Sequence, residues 1–188
     1  VFMAGAPGAG KSFVADSMAL PGQLGYKEIN SDIEFTRYMK SAGLTDEKGT
    51  VILDPNRKFE RGVIRTVAKR HTNAKQSGAL IGRLGLVIDG TGANSGKLLK
   101  QKQTLESLGY ECLMVYVNLS LEGSIEADRQ RGLDGDRTIG PELVTTKWKE
   151  LQSGLDPFRK SFGKLFFEID NSVREKTPTL VRKVLNFI

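Results

Sequence analysis

Cysteine, histidine and tryptophan each occur once in the 188 residues, aromatic residues make up 7% of the chain, and no apolar run is long enough to cross a bilayer. Each scarcity removes a class of function. The lone Cys112, set in the apolar run 112–117, has no partner for an internal disulfide and reads as a core residue rather than a nucleophile. The lone His71 has no partner for a metal site and reads as structural or exposed. With neither a membrane span nor a signal-peptide pattern, and with only one thiol, the expected setting is a reducing cytoplasm without membrane association.

What is present is more telling. With 39% hydrophobic and 27% charged residues, the chain carries apolar material for one core and no surplus for a second, so a single domain over 1–188 is expected. A formal charge of +6 and a pI near 9.4 favour polyanionic partners such as nucleotides, nucleic acid or phosphosugars, without choosing among them.

Directly behind the apolar run Val1–Ala4 stands Gly5-Ala6-Pro7-Gly8-Ala9-Gly10-Lys11-Ser12, a complete G-x-x-x-x-G-K-S signature, with Phe13 continuing into a helix. Its parts have mechanical reasons. The glycines let backbone N–H groups curl around phosphate oxygens, and the following helix offers its positive N-terminus. Lys11 reaches the β- and γ-phosphates, and the Ser12 hydroxyl ligates Mg²⁺. Residues 5–13 are therefore the expected seat of a nucleoside triphosphate, ATP or GTP, with Mg²⁺.

Along the chain, largely apolar runs at 1–4, 84–88, 110–117 and 165–169, with a second short strand at 26–30, read as the strands of a sheet. Helices are expected at 11–20, closed by Pro21-Gly22, and at 33–41, 55–76, 95–107, 121–131, 141–152 and 178–187. Alternating strands and helices of this kind specify an α/β fold, a parallel sheet of about five strands with helices on both faces. Ligands of such sheets gather at the carboxyl ends of the strands. Those ends carry the phosphate loop, Asn30-Ser31-Asp32, Asp89-Gly90-Thr91-Gly92-Ala93-Asn94, and Asn118 with an arginine-bearing segment after it.

Asp32 is placed to accept the proton of an attacking hydroxyl, or else to cap the helix at 33–41. Asp89 ends a strand in the manner of a Walker B acid and is expected to share the metal with Ser12, the alternative being a turn or cap residue. Phosphoryl transfer also needs cations that close over the transferring group. Arg129, Arg131 and Arg137 fall in a Gly- and Asp-punctuated stretch, expected as a flexible lid over about 129–141; a solvated loop of paired charges is the alternative. Arg57, Arg61, Arg65 and Lys69 recur every four residues and form one basic row on a helix, either against an anionic substrate or as a solvated face. Phe59, Val63 and Val67 fall on a different face, suited to the core, and Trp148 is expected in the core as well.

These residues together resemble the zeta-toxin-like branch of the P-loop kinases, especially the small ATP-binding proteins of tailed phages. The carriers are Gly5–Ser12, Asn30-Ser31-Asp32, Val87-Ile88-Asp89-Gly90-Thr91-Gly92, Leu105-Glu106-Ser107-Leu108-Gly109-Tyr110, the segment from Arg129 to Pro141, and Trp148 with Phe158 and Phe162-Gly163. The resemblance implies a three-layer, nucleoside-monophosphate-kinase-like core with strand order 2-3-1-4-5, an acceptor-activating Asp32, lid arginines on the triphosphate, and residence in a host cytoplasm. Zeta-type toxins usually carry glutamate where Asp89 stands, and the lid here is longer than in the phage relatives.

The sequence thus leads to an ATP-dependent kinase in which Lys11, Asp32, Arg129 and Arg137 are catalytic. The acceptor is a nucleotide sugar or a polynucleotide 5′-hydroxyl. The rival reading is an ATP-binding regulator or assembly factor that hydrolyses slowly and has no acceptor.

Overall fold

The computed structural model describes residues 1–188 except 21, 23, 48, 135 and 136; Pro21, expected to help close the first helix, and Gly135 and Asp136 of the expected lid lie outside the described residues. Five strands, β1 (Phe2–Ala4), β2 (Lys27–Ile29), β3 (Leu86–Asp89), β4 (Met114–Asn118) and β5 (Phe166–Asp170), form one all-parallel sheet in the order β2-β3-β1-β4-β5. The P-loop kinase order inferred from the resemblance is the one observed.

The central strand β1 is 0–1% exposed, as a short apolar run covered on both faces must be. Phe2 aligns with Ile88 on one side and Met114 on the other. With all strands parallel, Ala4, Ile29, Asp89, Asn118 and Asp170 deliver their chain exits to one edge of the sheet. Among the described residues the exits lead to α1 (Lys11–Ser17) after β1, α2 (Ser31–Ser41) and then α3 (Lys58–Ile81) after β2, α4 (Ser95–Ser107) after β3, α5 (Leu121–Leu133) and then α6 (Pro141–Phe162) after β4, and α7 (Thr177–Leu185) after β5. Among the described residues no helix is long and apolar enough to cross a membrane.

Several boundaries differ from the sequence expectation, each for a packing reason. The helix expected at 55–76 opens as a 3₁₀ turn at Pro55–Arg57, where the Asp54 carboxylate accepts from the Asn56 amide at 2.8 Å, and α3 then runs past Gly78 to Ile81 because Ala79 is buried in the main core. Helix α6 continues ten residues beyond 152, through Pro157. A proline there costs about 3 kcal/mol. Leu155, Phe158 and Phe162 are all buried, and at about 1.5–3 kcal/mol for each such side chain they offset that cost. Strand β4 begins only at Met114, although Cys112 and Leu113 before it are buried as expected.

Phe59, Val63 and Val67 do not enter the core: they are 83%, 49% and 40% exposed. The face of α3 that packs inward carries Ile64 and Ala68 instead, against Phe35 and Met39 of α2 and against Leu44 and Val51. This second cluster stands apart from the main core under the sheet. Glu34 pairs within α2 with Arg37 at 2.7 Å and lies 3.1 Å from the ring of His71 on α3, a histidine that the sequence left as structural or exposed and that is half-buried between the two helices. Trp148 packs on the main core and donates its indole N–H to the Leu119 carbonyl at 3.0 Å.

Candidate active site

The first strand hands the chain to residues 5–10, which curl at the sheet edge before α1. Gly8 and Gly10 hold φ of 83° and 85°, the left-handed region that favours glycine. Space forbids a side chain at both places as well. A Cβ at Gly8 would lie 2.5 Å from the Ser124 carbonyl oxygen, and one at Gly10 would strike the Asn171 amide. That amide belongs to a buried strut that sequence reasoning missed. Asn171, just past β5, donates to the Ala9 carbonyl at 2.8 Å and accepts from the Thr177 hydroxyl at 3.1 Å, fixing the loop from behind. The missed signal was a polar residue at the carboxyl end of the last strand.

Lys11 turns its Nζ back along the loop, donating to Gly5 O at 3.0 Å and Ala6 O at 3.4 Å. Burial lowers its pKa, an effect the nearby Asp89 opposes and Arg131 reinforces. The loop opens on a cleft of about 880 Å³, a volume suited to a small-molecule ligand. Pro7, Gly8, Gly10, Lys11 and Ser12 line its floor; Gly5, Ala6 and Ala9 are buried behind them, and Phe13 is partly exposed but not part of the wall.

Asp89 lies at the cleft floor at the end of β3. Its Oδ2 accepts from Asn30 Nδ2 at 2.7 Å, while the buried Oδ1 meets no donor among the described residues. Burial raises its pKa, against the opposing pull of Lys11. An orphaned buried carboxylate oxygen in the same cleft as the Ser12 hydroxyl is an oxygen donor pair that fits Mg²⁺, which binds few protein ligands and keeps water and phosphate oxygens. No group of three or more acids, histidines or cysteines gathers among the described residues, here or elsewhere, so the cleft offers Mg²⁺ only this pair.

Asp32 is released from capping by its neighbour. Asn30 is the N-cap of α2, its side chain accepting the Asp32 amide at 2.9 Å, so the Asp32 carboxylate is free to face the cleft. It is met there by Arg65 of α3 at 2.5 Å and Arg137 at 3.7 Å. Both guanidinium groups also lie over the Phe35 ring, at 3.7 and 5.5 Å from its centroid. Partial burial pushes the Asp32 pKa up, but the Arg65 hydrogen bond and the charges of Arg137, Arg65 and Lys11 outweigh it, and the net shift is downward.

The helix expected at 121–131 extends two residues further into the arginine-bearing segment. Helix α5 runs to Leu133, so Arg129 and Arg131 are helical. Arg129 is spent outside the cleft in a two-pronged pair with Glu126 at 2.6 and 2.8 Å, whereas Arg131 and Arg137 line it. Of the two arginines that the sequence offered as partner to Arg137, Arg129 or Arg131, it is Arg131 that lines the cleft and Arg129 that does not. The buried Asp128 holds the return of the segment, accepting the amides of Ile139 at 3.2 Å and Gly140 at 3.0 Å. Of the basic row, Arg61 and Arg65 line the cleft together with Lys58, Arg57 pairs with Glu60 at 2.6 Å, and Lys69 is exposed outside the wall. Asn118 is structural, accepting from the Tyr116 hydroxyl and donating to Glu168.

Comparison with known proteins agrees with this architecture. Residues 1–157 match the family described as "AAA domain". A candidate kinase from Chloroflexus aurantiacus superposes with a TM-score of 0.65 at 12% identity, covering 99% of this chain and 93% of its own. Deoxyadenosine kinase from M. mycoides, solved with bound dATP, gives 0.58 at 19% identity, covering 98% of this chain and 97% of its own. A structure of the PezAT chromosomal toxin–antitoxin system of Streptococcus pneumoniae gives 0.52 at 16% identity, over 99% of this chain and 84% of its own. At these identities the likeness is one of fold. No curated protein matches the chain in sequence.

Proposed function

The chain belongs to the AAA-domain family, and from that premise and the cleft we propose that it is a phosphotransferase moving the γ-phosphoryl group of ATP to a hydroxyl acceptor. The observation that carries this reading is the Asp32 carboxylate, uncapped and aimed into the same cleft as Lys11, Ser12 and Asp89. A binding loop that only held nucleotide would have no use for a second carboxylate held in place by two arginines.

In this reading the loop amides and Lys11 hold the β- and γ-phosphates, as in other phosphate-binding loops. Ser12 and Asp89 would hold Mg²⁺, which when bound neutralises charge on the triphosphate. The acceptor oxygen bonds to the γ-phosphorus, the bond from that phosphorus to the β–γ bridging oxygen breaks to leave ADP, and the hydroxyl proton passes to Asp32. Arg137 and Arg131 stabilise charge on the transferring group. Asn30 orients both acids, capping the helix that carries one and hydrogen-bonding the other.

Two acceptors suit the cationic cleft: a nucleotide sugar, as the zeta-toxin resemblance suggests, and the 5′-hydroxyl end of a polynucleotide. Transfer of labelled γ-phosphate into a panel of nucleotide sugars, nucleoside monophosphates and 5′-hydroxyl oligonucleotides tests the reading, with Lys11→Ala and Asp32→Ala alongside. Label in one acceptor class that both variants lose is the expected result. ATP binding without label in any acceptor would favour the acceptor-free regulator.

A further inference from the structure

One ring lies beneath both arginines that hold Asp32. Phe35 follows Asp32 by three positions on α2, about one turn along the helix, and lines the cleft although it is only 3% exposed. The guanidinium carbon of Arg65 stands 3.7 Å from the ring centroid and that of Arg137 stands 5.5 Å from it. The same two groups reach the Asp32 carboxylate, at 2.5 and 3.7 Å. Among the described residues Phe35 is the one ring with two cations over it. An aromatic wall can stack on a flat ligand, but Arg65 at contact distance already takes a face of this one.

Packing alone does not call for an aromatic residue at this position. The buried neighbours of Phe35 in the small cluster, Met39, Leu44, Val51 and Ala68, include no ring. Electrostatics does call for one. Two guanidinium groups drawn to one carboxylate repel each other, and an ion pair this open to solvent holds its geometry weakly: the Asp32 side chain is 56% exposed and that of Arg65 32%. The face of an aromatic ring attracts cations and carries no net charge, so it seats both arginines without competing for their negative partner.

Resting on the kinase reading above, we infer that Phe35 is a positioning residue: its ring is the platform that seats Arg65 and Arg137, and through them it directs the Asp32 carboxylate at the acceptor hydroxyl. The charged groups facing Asp32 are Arg65 from α3, Arg137 from the segment before α6, Lys11 from α1 and, with the opposite sign, Asp89 from β3. Only the first two rest on the ring. A ring that attracts cations less therefore loosens the two arginines and leaves Lys11 and Asp89 in place. Asp32 then takes up its proton at higher pH and points less steadily into the cleft.

Replacing Phe35 by 3,4,5-trifluorophenylalanine keeps the shape of the ring in its cluster and weakens its attraction for cations. The Asp32 carboxyl, followed by carbon-13 NMR on the full chain and identified by its absence from Asp32→Asn, is expected to titrate about half a pH unit higher in the fluorinated chain. This measurement needs neither acceptor nor turnover. Where transfer is measured, the acid limb of kcat/KM should move the same way and kcat should fall, while KM for ATP, set by the other wall, stays unchanged. In a chain that also carries Arg65→Met and Arg137→Met, the fluorinated ring should have no further effect. An Asp32 titration indifferent to the fluorinated ring, or a shift that persists without the two arginines, overturns the platform. A titration that follows the ring, with no label transferred to any acceptor, would instead overturn the kinase reading and leave the platform standing.

Discussion

The two walls of the cleft are built on opposite principles. The donor wall is set into the main core: Gly8 touches the backbone of α5, Gly10 lies against Asn171, and a buried asparagine and threonine brace the loop. The acceptor wall, α2 and α3, rests on a small cluster of its own, Phe35, Met39, Leu44, Val51 and Ala68, and presents charged side chains on a surface that solvent reaches. The difference teaches where each property resides. In the proposed reading, triphosphate geometry rests on backbone and tight packing, whereas acceptor choice rests on side chains of a helix pair whose cleft end packs on its own small cluster.

Substituting one residue on each wall should separate the two most sharply. Lys11→Ala is expected to lose both ATP affinity and transfer, and Asp32→Asn to bind ATP normally while transfer falls by about 10²–10⁴-fold, as measured by nucleotide titration and single-turnover transfer. Loss of ATP binding in Asp32→Asn would erase the distinction between the walls.

Next in size is the donor-wall brace. Asn171→Ala leaves the buried Ala9 carbonyl and the Thr177 hydroxyl without their partner, and should cost about 1–3 kcal/mol of stability and weaken ATP binding, measured by denaturant unfolding and titration. A loop supported equally well from elsewhere would show neither effect.

On the acceptor wall the test is a pH profile. Since the arginines hold the Asp32 pKa below its ordinary value, this carboxyl loses its proton more readily folded than unfolded. Its contribution to stability is full above the ordinary aspartate range and is lost as pH falls through the lowered value. The same ionisation keeps the proposed base active into mild acid. Arg65→Met should therefore move the acid limb of kcat/KM to higher pH; an unmoved limb would mean that Asp32 is not the group titrating.

The smallest effect separates two neighbouring arginines. Arg129→Ala should leave transfer unchanged, since its partner is the exposed Glu126, whereas Arg131→Ala and Arg137→Ala should each reduce kcat.

The phosphate loop, Asp32 and the Arg61 and Arg65 positions were legible in the sequence, whereas the packing behind each wall was not. Apolar strands and a glycine-rich loop are short-range signals, and they pointed to the parallel sheet and to residues 5–12, while the strand order came from the family resemblance. Which face of α3 packs inward depends on α2, a partner distant in sequence, so Phe59, Val63 and Val67 were misjudged as core. The helix through Arg129 was expected, but not the burial of Asp128 that sets its orientation. Once α5 is a helix and Asp128 is buried, residue 131 is three positions on and shares the Asp128 face, while residue 129 is turned away. The N-cap followed a similar pattern: Asp32 and Asn30 are both good caps, and only the observed Asn30 bond to the Asp32 amide assigns the role. Helix α6 outran its expected end because burial of Phe158 and Phe162 outweighs Pro157, a balance that local propensity does not contain.

The central claim, that this cleft passes a phosphoryl group to an acceptor activated by Asp32, is tested most directly by the rate of ADP release from Mg·ATP with and without a phosphorylated, hydroxyl-bearing nucleotide. The account predicts release that the acceptor stimulates in the wild-type chain and that Asp32→Asn no longer shows, with ATP still bound. A slow release identical with and without every acceptor, and unchanged by Asp32→Asn, would contradict it.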